Sequence, residues 1–140
     1  MNKYILILSI SIGLIACNNK EVQLDNAKKL YEQGLANSDA ATTKVALNQL
    51  LLLDSNNTEY QDSLSRIYLT SGNFEAGLKY AEMVFNAGKS DKKLKENMAV
   101  AYQQLGKMEK AEQFINSLYA ETNDPRYIYQ QLVHQFENRN

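Results

Sequence analysis

The stretch Ser63 to Phe74 returns 34 residues further along the chain. Leu64, Tyr68, Gly72 and Phe74 land on Met98, Tyr102, Gly106 and Met108. The same step carries Gly77 to Ala111, Tyr80 to Phe114, Val84 to Leu118 and Phe85 to Tyr119. Large apolar residues fall on large apolar residues, small on small, and turn glycine on turn glycine. A fixed period of this length is the trace of repeated helix–turn–helix units, each of which buries its apolar face only by stacking on a neighbour. The chain is therefore expected to be all-helical, with 140 residues supplying one domain with a real core.

Stepping back 34 residues from Leu64 and Val84 gives Leu30 and Leu50, which sets a first, more degenerate unit at about Leu24 to Asn57. Ala27, Leu30, Tyr31, Gly34 and Leu35 follow helical spacing and form one apolar stripe. Asn37–Ser38–Asp39 is a turn whose side-chain oxygens can cap the next helix. Val45, Ala46, Leu50, Leu51 and Leu53 continue the stripe until the polar cluster Asp54–Ser55–Asn56–Asn57 ends it.

The second unit opens with Thr58 and Gln61 in capping-box spacing, and Tyr60, Leu64, Ile67 and Tyr68 form its inward face. Its turn is Ser71–Gly72–Asn73, and Phe74, Gly77, Leu78, Ala81, Val84 and Phe85 are the expected buried face of the second helix. The third unit runs from a candidate cap at Ser90 through Leu94, Met98, Ala99 and Tyr102, turns at Gly106, and continues with Met108, Ala111, Ile115, Leu118 and Tyr119. Asp124–Pro125 starts a last helix, proline sitting where its missing N–H costs nothing. Tyr127, Ile128, Leu132, Val133 and Phe136 give that helix an inward face, so it can close the apolar end of the stack. Tyr127 and Tyr129 flank Ile128 and cannot both face inward, which leaves one of them as a surface contact.

The N-terminus carries a different message. Lys3 precedes an almost wholly apolar run from Tyr4 to Ile15, shorter than the roughly 20 residues a helix needs to cross a bilayer. A positive start, a short apolar run and small residues at its end describe a secretory signal. The ending Leu14–Ile15–Ala16–Cys17 resembles the lipobox of bacterial lipoproteins. That resemblance implies cleavage of a 1–16 signal peptide before Cys17, a diacylglycerol on its thiol and a further acyl chain such as palmitate on its amine. Two or more acyl chains hold a protein on its membrane, where a single one gives marginal binding. Asn18, where aspartate marks inner-membrane retention in some bacteria, implies the outer membrane, facing the periplasm. Residues 17–23 read as the acylated cysteine and a polar tether. Cys17 is the only cysteine, so no internal disulfide can form.

The repeated units resemble tetratricopeptide repeats. That family places an aromatic before a turn glycine, an aromatic or aliphatic residue two positions after it, and a small residue three beyond. Here the pattern reads Tyr68, Gly72, Phe74, Gly77 and again Tyr102, Gly106, Met108, Ala111. Residues 50–57 resemble the family's helix-ending segment, with Ser55 where proline is usual. In the first unit Gly34 takes the aromatic's place and Thr43 the small residue's. The resemblance covers 24–138 and implies a short right-handed α-solenoid of about three helix–turn–helix units with a C-terminal capping helix.

The composition excludes several functions. Fifteen Lys/Arg against sixteen Asp/Glu leave a formal charge of −1, so no basic surface points to nucleic acid. His134 is the single histidine, and with nearby Glu137 it supplies two metal ligands at most. No strained nucleophile elbow is present. The chain is expected to need no cofactor or metal and to be no enzyme.

A stack of such hairpins curves, and the first helix of each pair lines the concave side. By resemblance to the family, the groove comprises Asp25, Lys28 and Glu32, then Glu59, Asp62, Arg66 and Leu69, then Lys93, Glu96, Val100 and Gln103. The last helix adds Tyr127, Gln130 and His134. Glu32 and Asp62 stand where carboxylate-clamping family members want asparagine or lysine, which argues against a clamp. The expected function is a membrane-anchored interaction module recruiting or scaffolding a protein or peptide partner in the cell envelope. Two alternatives stay open: a solute- or glycan-binding lipoprotein, and a self-associating structural one. Leu52, apolar where a surface residue is expected, marks a possible contact for the last, unless it packs on the linker.

Overall fold

The computed structural model describes the backbone of residues 3–129 and the side chains of residues 19–129. Among these the protein is all-helical, without strands, and consecutive helices pair. The helices are α1 (Lys3–Ala36), α2 (Ala40–Leu53), α3 (Thr58–Thr70), α4 (Phe74–Asn86), α5 (Lys92–Gln104) and α6 (Met108–Thr122). Residues 125–129 begin a further helix. The chain divides into two compact units, Met1–Asn57 and Thr58–Asn140.

In the first unit α1 packs on α2. Ala27, Thr43, Ala46, Leu47 and Leu50 are buried there. Residues 18–23, read as a tether and polar apart from Val22, are helical and run without a break into the first repeat helix. The signal segment and Cys17 lie outside the residues whose side chains are described. Asp39 caps α2, its Oδ1 accepting from the Ala41 and Thr42 amides at 2.9 and 3.2 Å. Ser38 stands 34 residues before Gly72 and adopts the same left-handed backbone, with φ of 52° against 79°. The first turn thus keeps the shape of the repeat without its glycine.

The degenerate positions of this unit have a steric explanation. Gly34 is buried, and a Cβ there would stand 2.5 Å from Thr43 Oγ1 and 2.7 Å from Thr43 N. In the second unit the bare position lies on the other helix: a Cβ on Gly77 would stand 2.6 Å from the Leu69 side chain and 2.9 Å from Leu69 N. Each hairpin crosses at a point with room for one side chain. The first unit removes it from the leading helix and the next removes it from the trailing one.

Two apolar residues expected inside this unit are exposed. Leu35 follows the buried Gly34 and Val45 precedes the buried Ala46, and a helix turns about 100° per residue, which rotates both outward. Leu52 does not pack on any linker: it is 86% exposed.

The second unit packs α3 on α4, α5 on α6, and both helices of the first hairpin on α5. Its main core joins Leu69, Leu78, Ala81, Val84, Leu94, Met98, Ala101, Tyr102 and Ala111, with Phe74, Leu105 and Phe114 at its edge. A second cluster holds Ala99, Ile115, Leu118 and Tyr127. The repeat positions Leu64, Met98, Tyr102, Gly77 and Ala111 are all buried, as their periodicity requires. Asn73 caps α4 through the Ala76 amide. The cap of α5 is Asp91, not Ser90: its Oδ1 accepts from the Leu94 amide at 2.7 Å. Asp124 accepts from the Arg126 amide at 3.0 Å, so the last helix starts where Asp–Pro places it.

Three side chains assigned to buried faces lie at the surface of this unit: Phe85 and Tyr119, at matching positions on α4 and α6, and Ile128. Of the two tyrosines beside Ile128, Tyr127 is buried and Tyr129 is 69% exposed. Leu132, Val133, Phe136 and the other residues beyond 129 lie outside the described residues.

Candidate functional site

The expected groove residues divide between the two units. Lys28 and Glu32 lie on α1 in the first unit, and both are exposed. Asp25 beside them is engaged by Lys29 at 2.7 Å. The remaining candidates belong to the second unit.

On α3, Glu59 is exposed, while Asp62 and Arg66 are half-buried and tied to each other. Arg66 Nε donates to Asp62 Oδ2 at 2.8 Å, one helical turn away, and its Nη2 donates to Asp91 Oδ1 at 2.9 Å. Arg66 therefore joins the α3 surface to the cap of α5, and its fork is spent on structure. The other oxygen of Asp62 is buried and has no hydrogen-bond partner among the described residues. Leu69, expected on the groove, is 6% exposed and belongs to the core. It faces Gly77, because that glycine leaves a space which only the leading helix can fill.

The α5 candidates do come together. Lys93, Glu96, Val100 and Gln103, joined by Asn97, share one face at the three- and four-residue spacing of a helix. They line a hollow of about 260 Å³ floored by Ala99, Ile115 and Leu118 and closed at one side by Arg126 and Tyr127. Val100 is 49% exposed there, an apolar surface among polar ones.

Tyr127 was expected as a groove contact and has a different task. It is 5% exposed, and its hydroxyl donates to Glu96 Oε1 at 2.7 Å. That bond to a carboxylate, with burial, holds its phenol above the ordinary value. The ring buries the last helix against Ala99, Ile115 and Leu118, and Lys92 Nζ lies 5.7 Å from its centroid. Tyr127 is thus a wall that fixes Glu96. Gln130 and His134 lie outside the described residues.

The periodicity conceals a second concavity. Glu82, Phe85, Tyr102, Lys110 and Phe114 are among the residues around a pocket of about 400 Å³ bounded by α4, α5 and α6. The Tyr102 hydroxyl donates to Glu82, Lys110 Nζ lies 3.6 Å from the same carboxylate oxygen, and Phe85 meets Phe114 edge-on at 5.1 Å. Burial first, and then the Glu82 carboxylate, keep the Tyr102 phenol protonated well above its usual range. Tyr102 and Phe114 recur with the repeat and read as core. The only further signal is Glu82 and Lys110, which lie on different hairpins and share no period.

Among the described residues no cluster of three or more potential metal ligands occurs, and no helix is long and apolar enough to cross a membrane. No protein-family model matches the sequence, and no curated protein matches it. Among solved structures, the N-terminal domain of stress-induced protein-1 (STI-1) from C. elegans is similar at 19% sequence identity. The match has a TM-score of 0.57 and covers 77% of this chain and 93% of that domain. At that identity the likeness shows the fold alone, a helical repeat of the tetratricopeptide type.

Proposed function

We propose that the chain is a lipid-anchored interaction module of the bacterial cell envelope, held on its membrane through acylated Cys17. It takes a protein or peptide partner on the α5 face of its second unit. The observation that carries this reading is the hollow beside Val100. A half-exposed valine stands there between an amide at Asn97, an amide at Gln103 and the charges of Lys93 and Arg126. An apolar spot ringed by polar groups is the usual anatomy of a small interface core and its rim.

The chemistry narrows the partner. Glu96 is occupied by Tyr127 and has Lys93 at 3.7 Å, so the face offers no strong net charge. A segment with an apolar side chain for Val100 and main-chain amides for Asn97 and Gln103 fits better than an acidic or basic tail. The outer-membrane leaflet facing the periplasm is the proposed location.

Affinity capture from crosslinked membranes tests the module. Val100→Arg is expected to lower recovery of the captured partner roughly tenfold, the loss of about 1.4 kcal/mol, with the helical circular dichroism unchanged. Lys79→Glu, at an exposed position on α4, is expected to leave capture intact. Equal recovery with Val100→Arg sinks the α5 face as the site. Metabolic palmitate labelling lost in Cys17→Ser tests the anchor, and persistent labelling refutes it.

A further inference from the structure

The first unit differs from the others on its outer surface. Adding 34 to Val45 and Leu52 gives Lys79 and Asn86, and adding it again gives Gln113 and Ala120. Positions that are polar or small in the later hairpins are therefore large and apolar in the hairpin that follows Cys17. Val45 and Leu52 lie seven residues apart, on one face of α2, and are 50% and 86% exposed. Val22 on α1 is 52% exposed. Leu52 also lines a shallow hollow with Gln23, Asn26 and Gln49, which places this end of α2 beside the start of the described part of α1.

We propose that this end of the first hairpin, where the exposed Leu52 of α2 stands beside the start of the described part of α1, lies on the lipid surface to which Cys17 is anchored. The inference rests on the anchor proposed above. Helix α1 passes through position 17 without a break, so Val22 stands about 7.5 Å along its axis from Cys17, at 1.5 Å per residue. The headgroup layer of each leaflet is roughly 5–7 Å deep. A hairpin that leans onto the membrane brings Leu52 to that depth, and interfacial helices bury their apolar faces about 5–10 Å into the same zone. Amide side chains such as Gln23, Asn26 and Gln49 are at home among headgroups, where water still reaches them.

The apolar segment 4–15 does not cover the patch from within the chain: the anchored form has lost it by cleavage before Cys17, and in the uncleaved chain it lies on the same unbroken helix. A second copy of the chain is the competing occupant, and its outcome is separable.

The chain contains no tryptophan, so Leu52→Trp introduces a single indole at an exposed position, excited at wavelengths its tyrosines do not absorb. The full-length acylated protein is reconstituted into phosphatidylcholine–phosphatidylglycerol vesicles with plain or brominated acyl chains. Emission from Leu52→Trp is expected to be blue-shifted and quenched about twofold by the brominated lipid, as a side chain at the acyl boundary must be. Asn86→Trp, at the matching place in the next hairpin, is expected to stay red and unquenched. Blue-shifted emission that is unquenched and grows with protein concentration assigns the patch to self-association and overturns the proposal. Red, unquenched emission overturns it as well. Intact-mass measurement on the same sample separates the two levels: acyl mass present with unquenched Leu52→Trp removes this inference alone, whereas acyl mass absent removes the anchor and this inference together.

Discussion

A turn can reach the left-handed backbone with or without glycine, and this chain does both. Ser38 and Gly72 hold equivalent places at φ of 52° and 79°. A residue with a Cβ gives up about 1–2 kcal/mol there, while glycine gives up roughly 0.5–1 kcal/mol in chain entropy. Ser38→Gly is therefore expected to raise stability by up to about 1 kcal/mol, and Gly72→Ala to lower it by about as much. Denaturant midpoints at unchanged slope measure both. Gly34 makes a sharper case. Alanine there gains about 1 kcal/mol of helix propensity, but its methyl meets the Thr43 backbone at 2.7 Å, and such overpacking costs about 1–3 kcal/mol. Gly34→Ala is expected to be net destabilising by about 1–2 kcal/mol. Adding Thr43→Ala should restore only part of the loss: it removes Oγ1, the nearest atom at 2.5 Å, but leaves the Thr43 N and Cα at 2.7 and 3.0 Å. Full recovery in the double variant would show that the side chain alone sets the crossing.

Three helix starts rest on carboxylates, at Asp39, Asp91 and Asp124, and there pH acts. The Asp91 carboxyl sits below the ordinary carboxylate value because it accepts from the Leu94 amide, with Arg66 adding to the effect. A depressed folded value means the stabilisation is fully present above the unfolded value, near 4, and is lost as pH falls through the lower folded one. Asp91→Ala is expected to cost about 1 kcal/mol at neutral pH. In thermal melts from pH 6 to pH 2, the gap between the two proteins should narrow on the acid side. A constant gap across that range would detach the cap from its charge.

At this scale the sequence is a good guide wherever one residue decides the outcome. Asn73, Asp39 and Asp124 cap as their chemistry requires, and the second and third turns fall at Gly72 and Gly106. It is a poorer guide where two residues share a task. Ser90 and Asp91 are adjacent and both can cap, and only the geometry selects Asp91. Gly34 and Thr43 preserve a crossing while reversing its pattern. The resemblance to tetratricopeptide repeats places Arg66 and Tyr127 on a binding surface. The partners that withdraw them, Asp91 and Glu96, come from another helix and leave no periodic mark.

For the molecule as a whole, the second unit carries two apolar clusters of its own, one spanning all four helices from α3 to α6 and one seating the last helix on Tyr127. A chain beginning at Thr58 is expected to keep its helical signal and to melt in one cooperative transition, since its buried set is intact. A broad, featureless melt would show that this unit depends on residues before it. The same unit contains the α5 face, so the fragment also permits the capture experiment away from any membrane.

The connections within that unit set what a visiting chain encounters. Ser71–Asn73, Ala87–Asp91 and Leu105–Lys107 leave little slack between helices, and Gly72, Gly88 and Gly106 lock each bend. Arg66 then stitches one hairpin to the next. A guest arriving at Val100 therefore meets a die already cut. The loss of freedom on association falls almost entirely on the guest, which favours stiff or pre-shaped ligands over floppy ones.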